Sequence, residues 1–165
     1  PLEVEREWRE AFDALLPTLR AQLQTLPNAP IRLHGDCHPG NILWTPTEQA
    51  GGGPHFVDLD DSAMGPAVQD LWMLLSGDRR QRTEQLACLL DGYEQLRDFD
   101  RRELQAIEAL RTLRLVHYSA WLARRWQDPT FPIHFPWFGT PDYWRGQVLM
   151  LQEQREALEE PPLHA

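Results

Sequence analysis

The chain of 165 residues is 42% hydrophobic and 25% charged, with a formal net charge of −9. That length and composition fit one soluble globular domain, 1–165, large enough to bury a core, and exclude disordered or fibrous classes. The acidic balance argues against nucleic acid or anionic lipid as the main partner; with no apolar run near ~18 residues and no basic–apolar leader, a cytoplasmic monomer is expected.

Residues 2 to about 26 predict a helix, because Val4, Trp8, Phe12, Leu15, Leu16, Leu19, Leu23 and Leu26 recur at three- and four-residue steps. Pro17 lies inside that stripe and is expected to kink the helix or split it, and "PNAP" at 27–30 to end it. A compact non-helical stretch follows. "IRLHGD", "NILWT" and "HFVDLD" are short strand candidates, and the Gly-rich link "PTEQAGGGP" suits a hairpin loop between the last two.

From Gly65 onward the pattern is helical. "GPAVQDLWMLLSG" has Pro66 near a helix start and Gly77 at its end. "RTEQLACLLDGYEQL", "DRRELQAIEALRTLRLVHYSAWLARRW" and "PDYWRGQVLMLQEQREALEE" carry helical stripes, and the proline-rich "QDPTFPIHFPWFGTP" reads as an irregular connector. The expected fold is mainly α, with a small β-hairpin element holding the loop "LHGDCHPGNILW".

That loop concentrates reactive side chains. His34, Cys37 and His38 are conceivable zinc ligands, but a structural zinc site wants four, usually as two spaced pairs. Cys88 lies mid-stripe in a helix, where a small buried hydrophobe is the expected role. Cys37 as a nucleophile beside histidine leaves Asp36 and Asn41 without a purpose.

Phosphoryl transfer accounts for more of the loop. It needs a carboxylate to take the proton of the attacking hydroxyl and oxygen ligands to fix Mg²⁺ on the phosphates. In H-R-D-x-x-x-x-N catalytic loops the aspartate is the base and the asparagine five positions later binds metal. Here His34, Asp36 and Asn41 keep that spacing, with Gly35 in place of arginine, and "FVDLDD" offers a further carboxylate at Asp58. Any one of these residues could be an ordinary turn former, but that reading does not explain all three in this order.

The pattern H-G-D-x-H-x-x-N followed by apolar-Asp-apolar-Asp resembles the aminoglycoside phosphotransferase and choline kinase branch of the kinase-like superfamily. Segments 56–78, 114–126 and 135–144 extend the resemblance over residues 30 to 162, toward bacterial Ser/Thr protein kinases of the stress response within that branch. The resemblance implies the C-terminal lobe of a kinase-like fold. In it Asp36 is the proton acceptor, Asn41 a Mg²⁺ ligand, and Asp58 a Mg²⁺ ligand essential for catalysis. ATP is the implied co-substrate and a protein Ser/Thr hydroxyl the acceptor. His34 is expected to support the loop from beneath, and His38 to be either loop scaffold, the favoured reading, or a group near the phosphates. Asp70 becomes the aspartate that hydrogen-bonds the loop backbone. The short "SAMGPAVQDLW" segment departs from eukaryotic-type protein kinases, leaving no room for a long activation segment.

Two expected parts do not occur. All sixteen basic residues are arginine, so no lysine can pair with phosphates, and the one glycine cluster, Gly51–Gly53, follows the catalytic loop rather than preceding it. An N-terminal nucleotide-clamping lobe is therefore expected as a partner outside this chain, and the 165 residues alone are expected to be inactive. A small-molecule kinase lobe and a non-catalytic helical binding module are the competing readings. The aromatics of "DPTFPIHFPWFG" and nearby Arg124 and Arg125 do not decide the acceptor.

Overall fold

The computed structural model describes residues 2–164. The chain forms two compact units, one of residues 2–24 and 108–161, the other of residues 25–107 and 162–164.

The first unit is helical. Helix α1 (Leu2–Gln24) runs unbroken through Pro17, so the proline does not split it. Its stripe packs with α4 (Ile107–Arg125, all but its first residue in this unit) and α6 (Pro141–Glu159) around Leu15, Leu19, Ala109, Leu151 and Leu158, each at most 5% exposed. Several polar groups between the helices pair with one another. Gln154 donates through Nε2 to Thr112 Oγ1 at 2.9 Å, and Ser119 Oγ lies 2.9 Å from the Tyr143 hydroxyl. The proline-rich connector is not wholly irregular. It contains the short helix α5 (Thr130–His134), whose Phe131 and Phe135 rings pack on Trp121.

The second unit carries the β structure, as two two-stranded antiparallel sheets where the sequence suggested one hairpin. Strand β1 (Ile31–Leu33) pairs with β4 (Ala63–Gly65), and β2 (Ile42–Thr45) with β3 (Gly53–Phe56), placing Ile42 opposite Phe56 and Thr45 opposite Gly53. The third strand thus begins earlier than "HFVDLD" and stops before Val57. Helix α2 (Val68–Trp72) is only one turn and a half, not the long helix to Gly77 that the apolar run suggested. Helix α3 (Arg79–Tyr93) starts at a capping box in which Asp78 and Gln81 satisfy each other's amides. Cys88 is exposed, a correction to its expected burial: Leu86 and Leu90 take the inner face of α3, and Cys88, two residues from each, points outward. No helix among the described residues is long and apolar enough to cross a membrane.

Candidate active site in the loop from His34 to Asn41

Strand β1 delivers the chain to His34, where its pairing with β4 stops and side chains take over the backbone's hydrogen bonding. Asp70, on α2, accepts the amide of His34 at 2.7 Å and that of Gly35 at 3.0 Å, so both carboxylate oxygens are spent on the loop. This is the backbone-holding role expected for Asp70, although its side chain is half-buried. Gly35 has φ +90°, and a Cβ there would sit 2.0 Å from the Asp61 carbonyl oxygen. Only glycine lets these two backbones meet.

The His34 ring links the loop to the chain after β3. Its Nε2 lies 2.8 Å from the Val57 carbonyl, while Nδ1 accepts the Asp36 amide at 3.3 Å. Both bonds together fit the neutral ring with its proton on Nε2. The amide of Val57 donates to the Asn41 carbonyl at 3.0 Å. Val57 is therefore clamped at both ends, and the next residue, Asp58, is fixed beside the loop. Asp58 adopts φ +64°, the one non-glycine residue with positive φ among those described. Aspartate tolerates this conformation better than most residues, and strain of this kind gathers at functional sites. Asp58 is thus not on a strand, as its apolar flanks suggested, but in the irregular segment that follows β3.

Within the loop, Asn41 is buried and donates Nδ2 to the Asp36 carbonyl at 3.0 Å. That bond aligns the amide so that Oδ1, which accepts no hydrogen bond among the described residues, is the atom left for a ligand. The His38 ring caps the 3-10 turn Pro39–Asn41 by accepting the Gly40 amide at 3.0 Å, and its Nε2 stands 3.5 Å from Asp36 Oδ2. Asp36 and Asn41 are thus directly linked, and Asp58 is one residue from a backbone bond to Asn41. His34 and His38 are scaffold.

Cys37 is 5% exposed, and burial first, then the carboxylates of Asp70 and Asp36, push its thiol up to about 11. Such a thiol is protonated at neutral pH and a poor nucleophile. Among the described residues no three His, Cys, Asp or Glu side chains converge to hold a metal. The donors present, the Asn41 amide oxygen and the Asp58 carboxylate, are hard oxygens. They suit Mg²⁺, which takes one or two carboxylates and shares its remaining positions with water and phosphate.

A cleft of about 900 Å³ adjoins the loop, walled by Leu59, Met64, Leu71, Leu89 and Tyr93. Leu43, Trp44 and Phe56 are more than half exposed on the β2–β3 pair next to it. Glu103 was missed by sequence reasoning. It is 5% exposed and its Oε2 accepts the Val68 amide at 2.9 Å at the start of α2. A single glutamate among helix-flanking charges gave no signal of that role.

Residues 2–107 match the profile of the phosphotransferase enzyme family. The chain is 49% identical over 160 residues to stress response kinase A of Escherichia coli (strain K12), covering 97% of this chain and 42% of that protein. It is 53% identical over 154 residues to stress response kinase A of Salmonella choleraesuis (strain SC-B67) and equally to serine/threonine protein kinase RdoA of Salmonella typhimurium (strain LT2), covering 93% of this chain and 45% of each. The chain thus spans less than half the length of these relatives. With its mainly α architecture and small β element, it belongs to the phosphotransferase enzyme family and has the C-terminal lobe of the kinase-like fold.

Proposed function

We propose that the loop from His34 to Asn41 is the catalytic loop of an ATP- and Mg²⁺-dependent kinase acting on protein Ser/Thr hydroxyls. The observation that carries the reading is the hydrogen-bonded set joining Asp36, Asn41 and Val57, which brings a carboxylate, an amide oxygen and, one residue beyond Val57, a second carboxylate onto two neighbouring segments of backbone. Asp36 takes the proton of the acceptor hydroxyl as its oxygen attacks the γ-phosphorus and ADP leaves. Asn41 Oδ1 and Asp58 would hold Mg²⁺, which when bound would neutralise charge on the phosphates. The protein acceptor is favoured by the printed name of the Salmonella typhimurium relative.

The whole described chain serves on this reading as one C-terminal lobe, working in the cytoplasm with an N-terminal lobe that clamps the nucleotide. The exposed Trp44 and Phe56, on one face of the β2–β3 pair, support that arrangement, since exposed aromatic surface of this kind fits a covering partner and an apolar base. Isolated, the 165 residues lack phosphate positioning and should turn over ATP negligibly. The test uses labelled ATP, the full-length protein, a generic protein substrate and small alcohols. Asp36→Ala and Asp58→Ala are each expected to lower transfer to protein on the order of a thousandfold. Full transfer by Asp36→Ala would remove the assigned base, and transfer to the small alcohols alone would replace the acceptor class.

A further inference from the structure

We propose that Glu103 is a positioning residue for the phosphotransfer loop, acting through α2 and Asp70. The inference rests on the reading of that loop given above, and its argument lies in a continuous chain of hydrogen bonds within one unit. Glu103 belongs to a 3-10 turn (Arg101–Ala106) that opens where Asp100 accepts the Arg102 amide at 3.0 Å. From there its buried carboxylate reaches the first amide of α2, accepting from Val68 at 2.9 Å. Ala67 has no side-chain cap of its own to offer, so Glu103, thirty-five residues away in sequence, does what an N-cap residue does elsewhere.

Helix α2 has five residues, too few to hold its shape without external anchors. Val68, fully buried, fixes one face, and Glu103 fixes the N-terminus. Asp70, two residues later, spends both oxygens on His34 and Gly35, the two residues before Asp36. A shift of the α2 N-terminus therefore moves Asp70, and with it the backbone that aims Asp36.

The choice of a carboxylate is informative. Burial holds the Glu103 carboxyl above the ordinary carboxylate range, with the Val68 amide opposing, so its ionised form costs stability at neutral pH. A glutamine could accept from the same amide without that cost. A charged acceptor holds that amide more firmly.

The experiment compares full-length wild-type protein with Glu103→Gln, Glu103→Ala, Asp70→Asn and the Glu103→Ala/Asp70→Asn double variant. Glu103→Ala should lower kcat on the order of ten- to a hundredfold with KM for ATP changed by no more than about twofold, at a temperature where unfolding data show it folded. Glu103→Gln should recover part of that loss without any fall in Tm. The double variant should lose less than the product of the two single losses, because both act on one relay. Hydrogen exchange at the His34 and Gly35 amides, read on the same proteins, should speed up about tenfold or more in Glu103→Ala. Unchanged kcat together with unchanged exchange at those amides would overturn the proposal, even if Tm fell. If Glu103→Ala does not fold, the exchange rates in Glu103→Gln decide, and protection equal to wild type at Val68, His34 and Gly35 overturns it. If Asp36→Ala retained transfer, the catalytic reading would fail instead, while the exchange result would still report on the relay.

Discussion

The two units of this chain are held together by different means. In the helical unit, Leu15, Leu19, Leu151 and Leu158 fill the space between α1, α4 and α6, so shape follows from apolar volume. In the other unit, the backbone from His34 to Asn41 is shaped by side chains: Asp70, His34, His38 and Asn41 each bond a loop amide or carbonyl, and Glu103 anchors the helix that carries Asp70. The difference teaches where each unit is vulnerable. The first should tolerate changes that keep volume, and the second should not tolerate changes that keep volume but alter hydrogen bonding.

The largest effect is expected at Gly35. Alanine there would need both a strained positive φ and a Cβ 2.0 Å from the Asp61 carbonyl, so Gly35→Ala should cost about 3 kcal/mol or more. Urea unfolding measures it, and a loss below about 1 kcal/mol would mean that the loop and the Asp61 backbone do not meet.

Leu151→Ala should come next, at ~2–5 kcal/mol, because a side chain 1% exposed leaves a cavity. Leu151→Met, which keeps volume, should cost less than about 1.5 kcal/mol. Asp70→Asn is the counterpart in the other unit. It preserves shape, yet leaves one loop amide facing an NH₂ group, and should cost ~1–3 kcal/mol with a loss of transfer activity in the full-length protein. If Asp70→Asn proved as mild as Leu151→Met in both stability and activity, the contrast between the units would not hold.

The same contrast explains what could be read from the sequence. Helices α1, α3, α4 and α6 announce themselves through apolar stripes, because periodic burial is what made them helices. The spacing of His34, Asp36 and Asn41 exposed the loop, since the chemistry constrains residue order as well as position. What escaped has no local signature. Strand β4 is Ala63-Met64-Gly65, poor in strand-forming residues, and exists because β1 lies opposite it. The apolar run 71–75 continues past the end of α2, because Met73 and Leu75 are buried from turn conformations instead. The positive φ of Asp58 depends on the clamping of Val57 from two directions, and the capping by Glu103 bridges thirty-five residues. Cys88 misled because its neighbours are apolar while its own angular position on α3 faces out.

The smallest effect on the fold is expected at Cys37, and it sharpens the comparison from the chemical side. If the loop is shaped by polar contacts over a closed interior, its cysteine must be shielded as well as buried. With its thiol pushed from 9.0 to about 11, Cys37 is ionised to only about one part in a thousand at pH 8, roughly a hundredfold less than an unperturbed thiol. Iodoacetamide at pH 8 should therefore label the exposed Cys88 first, with Cys37 following at least ~100-fold more slowly, as read by peptide mass spectrometry. The linked stability has a definite sign. A folded value above the unfolded one means that the contribution is fully present below about pH 9 and is lost as pH rises through about 11. Cys37→Ala should accordingly cost about 1 kcal/mol near pH 8, and its disadvantage relative to wild type should shrink between pH 9 and 11. Equal labelling rates for the two cysteines would show that the loop opens to solvent far more often than its hydrogen bonds imply.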